Sequence, residues 1–355
     1  MGQYNTRIEE CKPGMILSKD IYTDKGAILM KEGTVLSDFT IDKLVINNIE
    51  MVWVISEQDP GQNSPQDSTN DSPSVKETKK EYVKRIENIK TLFSNVLKDD
   101  SIELEQSANE ISASIINSDK STGDLLRCIR SLKSIGDYMY SHSLNVASIC
   151  CLIGNWMKLS SKEVEELTIA GLLHDIGKAK VPRGILNKKT ALTESESLEI
   201  KKHTQYGYDI LKAKTGFSDD VCKGILMHHE REDGSGYPNG VKGDKINLIA
   251  KIISVADLYS MITLDRVYKR TDTPFSVFEI FESSASQKFD ALTVYTLITN
   301  IAMYYIGDNV KLSNGLEGHI FYIDNEFISR PLIKLKDGTT LDLRVRKDIK
   351  ILEII

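Results

Sequence analysis

Apolar and polar positions alternate in different ways along successive parts of the chain. In residues 1–55, short apolar runs such as GMILSKDIY and GAILM are separated by the turn signals KPG, DKG and KEG, and MVWV (51–54) reads as a strand. Ser37 stands where it would N-cap a short helix carrying Ile41, Leu44 and Val45. A small α+β unit is expected here, too short for a phosphoacceptor receiver domain. From 56 to 79 the pattern vanishes, and SEQDPGQNSPQDSTNDSPSVKETK holds a single large apolar residue, Val75. Such a segment cannot bury a core and is expected to be a disordered, flexible linker. Helical periodicity dominates from about 80 to 305. Within it, 80–135 reads as a stalk or bundle segment with amphipathic stretches at 80–97 and 101–117, ahead of a main helical domain at 136–305. The tail, 306–355, returns to short β-type runs, among them GHIFYID, PLIKLKDG and IKILEII, which predict a small β-rich unit. The expected fold is mainly α, with a small α+β unit before the helical domain and a small β-rich unit after it.

The helical part carries polar residues on faces that should be buried. The chain has six histidines. All but His319 fall in helical patterns. His142 aligns with Val146, Ile149 and Ile153. His174, Asp175 and Lys178 continue the stripe of Leu167 and Ala170, and His203 aligns with Gly207 and Ile210. His228 and His229 extend Val221 and Ile225, and Asp257 stands between Ile253, Ala256, Ser260 and Met261. One buried histidine is ordinarily just hydrogen-bonded, but five helices each offering His or Asp inward call for a shared partner. Unpaired burial of such groups costs several kcal/mol each. Imidazoles grouped with carboxylates are how proteins hold borderline divalent metals. Five histidines and two aspartates exceed the needs of one zinc, so two metals bridged by one carboxylate are expected.

Composition narrows the picture. A chain of 355 residues, 41% hydrophobic and 27% charged, reads as an ordinary soluble globular protein. The net charge of −6 argues against bulk binding of nucleic acid or an anionic membrane. Phosphate chemistry would therefore need a local basic pocket. Apolar runs such as Val146–Ile153 are too short to span a bilayer, and no cationic, apolar leader opens the sequence. Five cysteines, none in a C-x-x-C pair, are expected to be buried thiols in the reducing cytoplasm.

The motifs HDIGK (174–178) and HHEREDGSGYP (228–238) carry a family resemblance. Around them, in order, stand YSHS, AGLLHDIGKAKVP, LNKKTALTESE, IKKHTQYGYDIL and IISVADLYSMITLDRVYK, spanning about Asp137 to Leu292. In these stretches the chain resembles the HD-GYP group of metal-dependent HD phosphohydrolases, whose catalytic domain is a helical bundle and which typically hydrolyse cyclic di-GMP. The resemblance implies two divalent metals bridged by Asp175, one held by His142, His174 and Asp257, the other by His203, His228 and His229. Iron is the expected metal, with manganese as the alternative. Some members hold a third metal through a glutamate four residues before the first histidine. That position is Tyr138 here, so two metals are expected.

Asp175 and Lys178 are the expected catalytic pair, Lys178 stabilising charge that develops on the phosphoryl group. The resemblance implies that Arg266 and Lys269, nine and twelve residues after Asp257, bind substrate phosphate. Residue 266 would face away on a straight helix through Asp257, so that helix should break near Leu264 or Asp265. Asp233 is expected at the substrate, paired with a basic residue, or behind a ligand histidine. The Gly236–Tyr237–Pro238 turn is expected to wall the pocket or to dock other signalling proteins, with the Tyr237 ring exposed. The implied function is hydrolysis of cyclic di-GMP to pGpG, GMP or both. Alternatives are hydrolysis of another cyclic dinucleotide such as cyclic GMP-AMP, and a non-catalytic nucleotide-binding or docking module. Residues 80–117 offer a face for a homodimer.

Overall fold

The computed structural model describes residues 2–7, 15–19, 21–22, 28–30, 36, 44, 51–56, 73–96, 101–118, 122, 125–126, 138–188, 190–214, 216–263, 273–283 and 287–355. The chain forms two compact units, Met1–Asn70 and Asp71–Ile355.

In the first unit, β1 (Gly2–Arg7) pairs antiparallel with β5 (Met51–Ser56), Tyr4 opposite Val54. The short β2 (Ile16–Leu17) lies on the other edge of β5, giving the order β1-β5-β2. Strands β3 (Ile21–Tyr22) and β4 (Ile28–Met30) pair separately. Val52 and Val54 point into a small core with Leu17, Leu36 and Leu44, while Trp53 between them faces outward. This is the period-two alternation that MVWV predicts. Of the expected short helix, Leu44 is helical and buried, whereas Ser37, Ile41 and Val45 lie outside the described residues.

The second unit opens with α1 (Pro73–Asn95) and α2 (Ser101–Ile116). Helix α1 begins inside the segment read as linker, with a proline in its first turn, where a missing N–H costs nothing. Tyr82, Ile86, Ile89 and Phe93 repeat at helical spacing and are buried. The Tyr82 hydroxyl donates to Asn145 Oδ1 at 2.5 Å. The two helices therefore join the main core instead of projecting as a stalk.

At the centre lies α3 (Tyr138–Trp156), buried continuously from His142 to Cys151. Against it pack α4 (Ser161–Leu173) and, further along the chain, α8 (Leu248–Thr263); between them come α5 (Glu194–Lys201), which borders α6 (His203–Lys212), and α7 (Asp219–Met227), which lies against α4, α6 and α8. Their starts are written locally. Ser160 with Glu163 and Thr193 with Glu196 form capping boxes, and the Ser218 hydroxyl accepts from the Val221 N–H. Helices α9 (Pro274–Glu282) and α10 (Ala291–Ala302) complete the helical layer. Among the described residues no helix is long and apolar enough to cross a membrane.

The tail forms an antiparallel sheet in the order β10-β6-β7-β8-β9, from β6 (Asn309–Leu312), β7 (Glu317–Tyr322), β8 (Leu332–Leu335), β9 (Thr340–Asp342) and β10 (Ile351–Ile354). Its inward residues Val310, Leu312, Ile320, Ile333 and Ile351 belong to the same apolar cluster as the helices. Arg330 Nη2 reaches Glu279 of α9 at 2.6 Å, and the Ser329 N–H donates to Glu282 at 3.1 Å. The sheet thus extends the helical core rather than closing one of its own.

Candidate metal centre

The polar residues converge, but mostly from helix ends. His142 sits within α3 and Asp257 within α8. The register HDIGK suggests a helix running through Lys178. Instead α4 stops at Leu173, His174 is its C-cap, and Ile176–Lys180 tightens into a 3-10 turn. The break is enforced by packing. A Cβ on Gly177 would lie 1.9 Å from the His203 carbonyl oxygen and 2.4 Å from Gly207 N, so only glycine lets this turn lie against α6. His203 opens α6 directly after α5 has ended, and His228 is the C-cap of α7.

These ends orient the imidazoles. The last carbonyls of a helix have no intrahelical partner. Three of them receive ring nitrogens: His174 Nδ1 donates to Gly171 O at 2.8 Å, His203 Nδ1 to Ile200 O at 2.7 Å, and His228 Nδ1 to Ile225 O at 2.7 Å. A carbonyl only accepts, so Nδ1 carries the proton and each Nε2 turns an unshared pair inward. His142 Nδ1 lies 3.0 Å from the Ser260 hydroxyl instead, with its Nε2 3.0 Å from Asp257 Oδ1.

Two groups result. In one, single donor atoms of His142, His174 and Asp175 all lie within 4.8 Å of one another, and in the other so do those of His203, His228 and His229. Asp175 faces both: Oδ2 lies 3.4 Å from His174 Nε2 and Oδ1 3.4 Å from His203 Nε2. Lys178 Nζ holds Oδ2 at 2.6 Å. His174 Nε2 is buried without a hydrogen-bond partner, and the Nε2 atoms of His203 and His228 face each other at 3.3 Å. Two unshared pairs this close repel unless a cation lies between them, so the donor set fits divalent metals.

Burial acts to lower the pKa of His174, but Asp175 beside it outweighs this and raises it, whereas His228 and His229 move the other way. Burial, followed by neighbouring imidazoles, holds His228 and His229 well below the ordinary histidine pKa, which keeps them neutral and able to ligate. Burial acts to raise the pKa of Asp175, but Lys178 and His174 outweigh it and hold the carboxyl well below its usual range. Burial likewise opposes the charge of Lys178, which Asp175 nevertheless raises.

Not every expected residue joins the cluster. Asp233 is exposed, and its Oδ1 accepts from the Ser235 N–H at 2.9 Å in an Asx turn, with no contact to an imidazole found among the described residues. Tyr237 is half-buried rather than exposed, its ring 4.7 Å from that of His229 at 27°. Tyr138 stacks on His142 at 5.6 Å and 7°. Arg266 and Lys269, with Leu264 and Asp265, lie outside the described residues, and the described part of α8 ends at Thr263.

Sequence reading also passes over the supporting groups. Ser260 lies on the Asp257 stripe, one turn further on, but spacing assigns it no role. Arg231, by contrast, has no periodic signal. Its Nη1 donates to His228 O at 3.2 Å and Ser254 Oγ at 2.7 Å, tying the end of α7 to the helix that carries Asp257. Because Ser260 is the hydrogen-bond partner of His142 Nδ1 among the described residues, Ser260→Ala is expected to weaken metal binding about 10-fold, read by chelator competition, with unchanged helix content by circular dichroism.

Residues 115–292, half of the chain, match the profile of the family described as HD domain. The chain belongs to the HD domain family. This HD domain protein is 33% identical over 232 residues to the cyclic di-GMP phosphodiesterase PA4108 of Pseudomonas aeruginosa, covering 64% of this chain and 54% of the relative. It is 32% identical over 228 residues to the cyclic di-GMP phosphodiesterase PdeB of Borreliella burgdorferi, covering 63% and 60%. To the 3'3'-cGAMP-specific phosphodiesterase 1 of Vibrio cholerae it is 34% identical, covering 47% of this chain and 39% of the relative. It thus spans less than two thirds of the length of these relatives. Among solved structures, Bd1817, an HDG"Y"P protein from Bdellovibrio bacteriovorus, superposes with a TM-score of 0.51 at 15% identity, covering 84% of this chain and 99% of the other, a likeness of fold.

Proposed function

We propose that this HD domain protein is a metal-dependent phosphodiesterase that opens cyclic di-GMP to pGpG, GMP or both. The observation that carries the reading is the convergence of inward Nε2 atoms on the two oxygens of one buried carboxylate, Asp175. His142, His174 and Asp257 would hold one metal, His203, His228 and His229 the other, with Asp175 between. Two divalent cations there, iron or alternatively manganese, would supply Lewis acidity toward water and a phosphoryl oxygen. The chain's own part is to fix the donors. The helix-end carbonyls set the imidazole tautomers, and Lys178 holds Asp175 while presenting a cation that is only partly screened from solvent. The relatives named as phosphodiesterases of cyclic di-GMP support the substrate class. Among the described residues Cys150, Cys151 and Cys222 are free and buried, which supports a cytoplasmic setting.

Anaerobic purification with metal quantification, followed by turnover of cyclic di-GMP, tests the reading. Two metals per chain with hydrolysis are expected. Two metals per chain without hydrolysis would leave a binding or docking module. The likeness to a Vibrio phosphodiesterase specific for 3'3'-cGAMP favours a second substrate reading, so both nucleotides should be compared side by side. Tyr138→Glu, which puts a carboxylate beside His142, is expected to raise metal content from two toward three per chain. An unchanged count would rule that out.

A further inference from the structure

Four of the five clustered imidazoles are oriented through Nδ1, three by backbone carbonyls and His142 by Ser260. His229 is the exception: among the described residues no hydrogen bond to its ring is found, only ring contacts. It lies against His228 at 4.1 Å, against His203 at 5.1 Å and against Tyr237 at 4.7 Å. The first two are themselves ligand candidates, so Tyr237 is, among the described residues, its only neighbouring ring from outside the cluster.

Tyr237 is held there by its loop. Its N–H donates to His229 O at 3.2 Å, so residue 237 clamps residue 229 through backbone and ring together. Glu230, 2% exposed, turns its carboxylate across the loop, and Oε1 accepts from Asn239 N at 2.7 Å and Gly240 N at 3.1 Å. That ties residue 230 to the far end of its own loop. Gly236 allows the fold-back, since a Cβ there would lie 2.4 Å from both Glu230 Cα and His229 O. Lys201 Nζ, 5.4 Å from the Tyr237 ring, borders the same side.

We propose that Tyr237 is a positioning residue that does for His229, by ring stacking, what a hydrogen bond at Nδ1 does for the other imidazoles, and that Glu230 keeps the loop closed so that it can. The loop that follows the two histidines thereby sets the geometry of one of them. This rests on the metal-site reading above, and the experiment separates the two.

Metal-free full-length protein is titrated with Mn²⁺ under chelator competition, as wild type, Tyr237→Phe, Tyr237→Leu and Glu230→Gln. In parallel, the His229 imidazole signals of each metal-free protein are followed by NMR. Wild type is expected to take two metals. Tyr237→Phe retains the ring and should bind within about twofold of wild type. Tyr237→Leu should lose about 10-fold or more in affinity at one of the two sites while keeping the other, as removal of a ligand's support does elsewhere. Its His229 signals should broaden or shift, those of His174 remaining in place. Glu230→Gln removes the carboxylate charge that the two loop amides face and should move both readouts in the same direction by less. A wild type that takes no metal overturns the metal-site reading. A wild type with two metals and a Tyr237→Leu protein indistinguishable from it in both readouts overturns this proposal alone. So does a Tyr237→Phe protein as impaired as Tyr237→Leu, because the hydroxyl rather than the ring would then be at work. Should Tyr237→Leu fail to fold, Glu230→Gln with wild-type binding and unshifted His229 signals would overturn it equally.

Discussion

Asp175→Asn is expected to cripple the proposed cyclic dinucleotide hydrolysis in a chain that still folds. Asparagine keeps the shape and one oxygen, so the 3-10 turn and the contact with Lys178 can persist. What it removes is a charged acceptor on both sides of the carboxyl, 3.4 Å from His174 Nε2 and 3.4 Å from His203 Nε2. An amide nitrogen would instead face one of these unshared pairs as a donor. Lewis-acid stabilisation of a phosphoryl transition state contributes several kcal/mol, so a loss on the order of 10³-fold in kcat/KM is expected. Metal content should fall with it. Steady-state turnover and metal quantification on the same sample check this, with circular dichroism to show the fold retained. Activity within 10-fold of wild type would remove Asp175 from the chemistry.

Gly177→Ala should be the most damaging substitution that adds only a methyl group. The new Cβ would meet the His203 carbonyl at 1.9 Å and Gly207 N at 2.4 Å, both backbone atoms that no side-chain rotation can move. Either α6 shifts away or the 3-10 turn unwinds, and both separate Asp175 from His203. Overpacking of this kind costs about 3 kcal/mol or more. In a unit of this size that is a fall in Tm on the order of 6–12 °C. Differential scanning calorimetry reads the fall, and metal titration reads the lost site. Gly184→Ala, at a glycine with nothing within 4 Å of the added Cβ, is the control and should change neither. A Gly177→Ala protein with the wild-type Tm would mean that the close approach is not required.

Much of this site is legible without coordinates because helical periodicity is local. Val221, Ile225, His228 and His229 declare their shared face by spacing alone, and the structure buries the first three. Capping is equally local, and Ser160–Glu163 and Thr193–Glu196 mark true helix starts. Where spacing fails, the cause is a contact distant in sequence. HDIGK reads as continuing helix because nothing within it announces that Gly177 will press against the carbonyl of His203. Tyr237 reads as exposed because its stacking partner is reached only once Glu230 has folded the loop back. The β-rich tail reads as a separate unit because strand alternation shows that one face is buried but not what buries it, here the helical core.

Residue types, the helix faces on which they lie and their order can be read from the chain alone. Those follow from repeats a few residues long, and together with the HDIGK and HHEREDGSGYP motifs they suffice to expect a metal-holding helical bundle. Which oxygen of Asp175 faces which group, and which nitrogen of His174, His203 and His228 turns inward, is seen only in the folded chain. Those depend on where helices end. An unpaired carbonyl at a helix terminus captures Nδ1 of its own histidine, and only packing brings His142, His174, His203 and His228 close enough for their Nε2 atoms to meet.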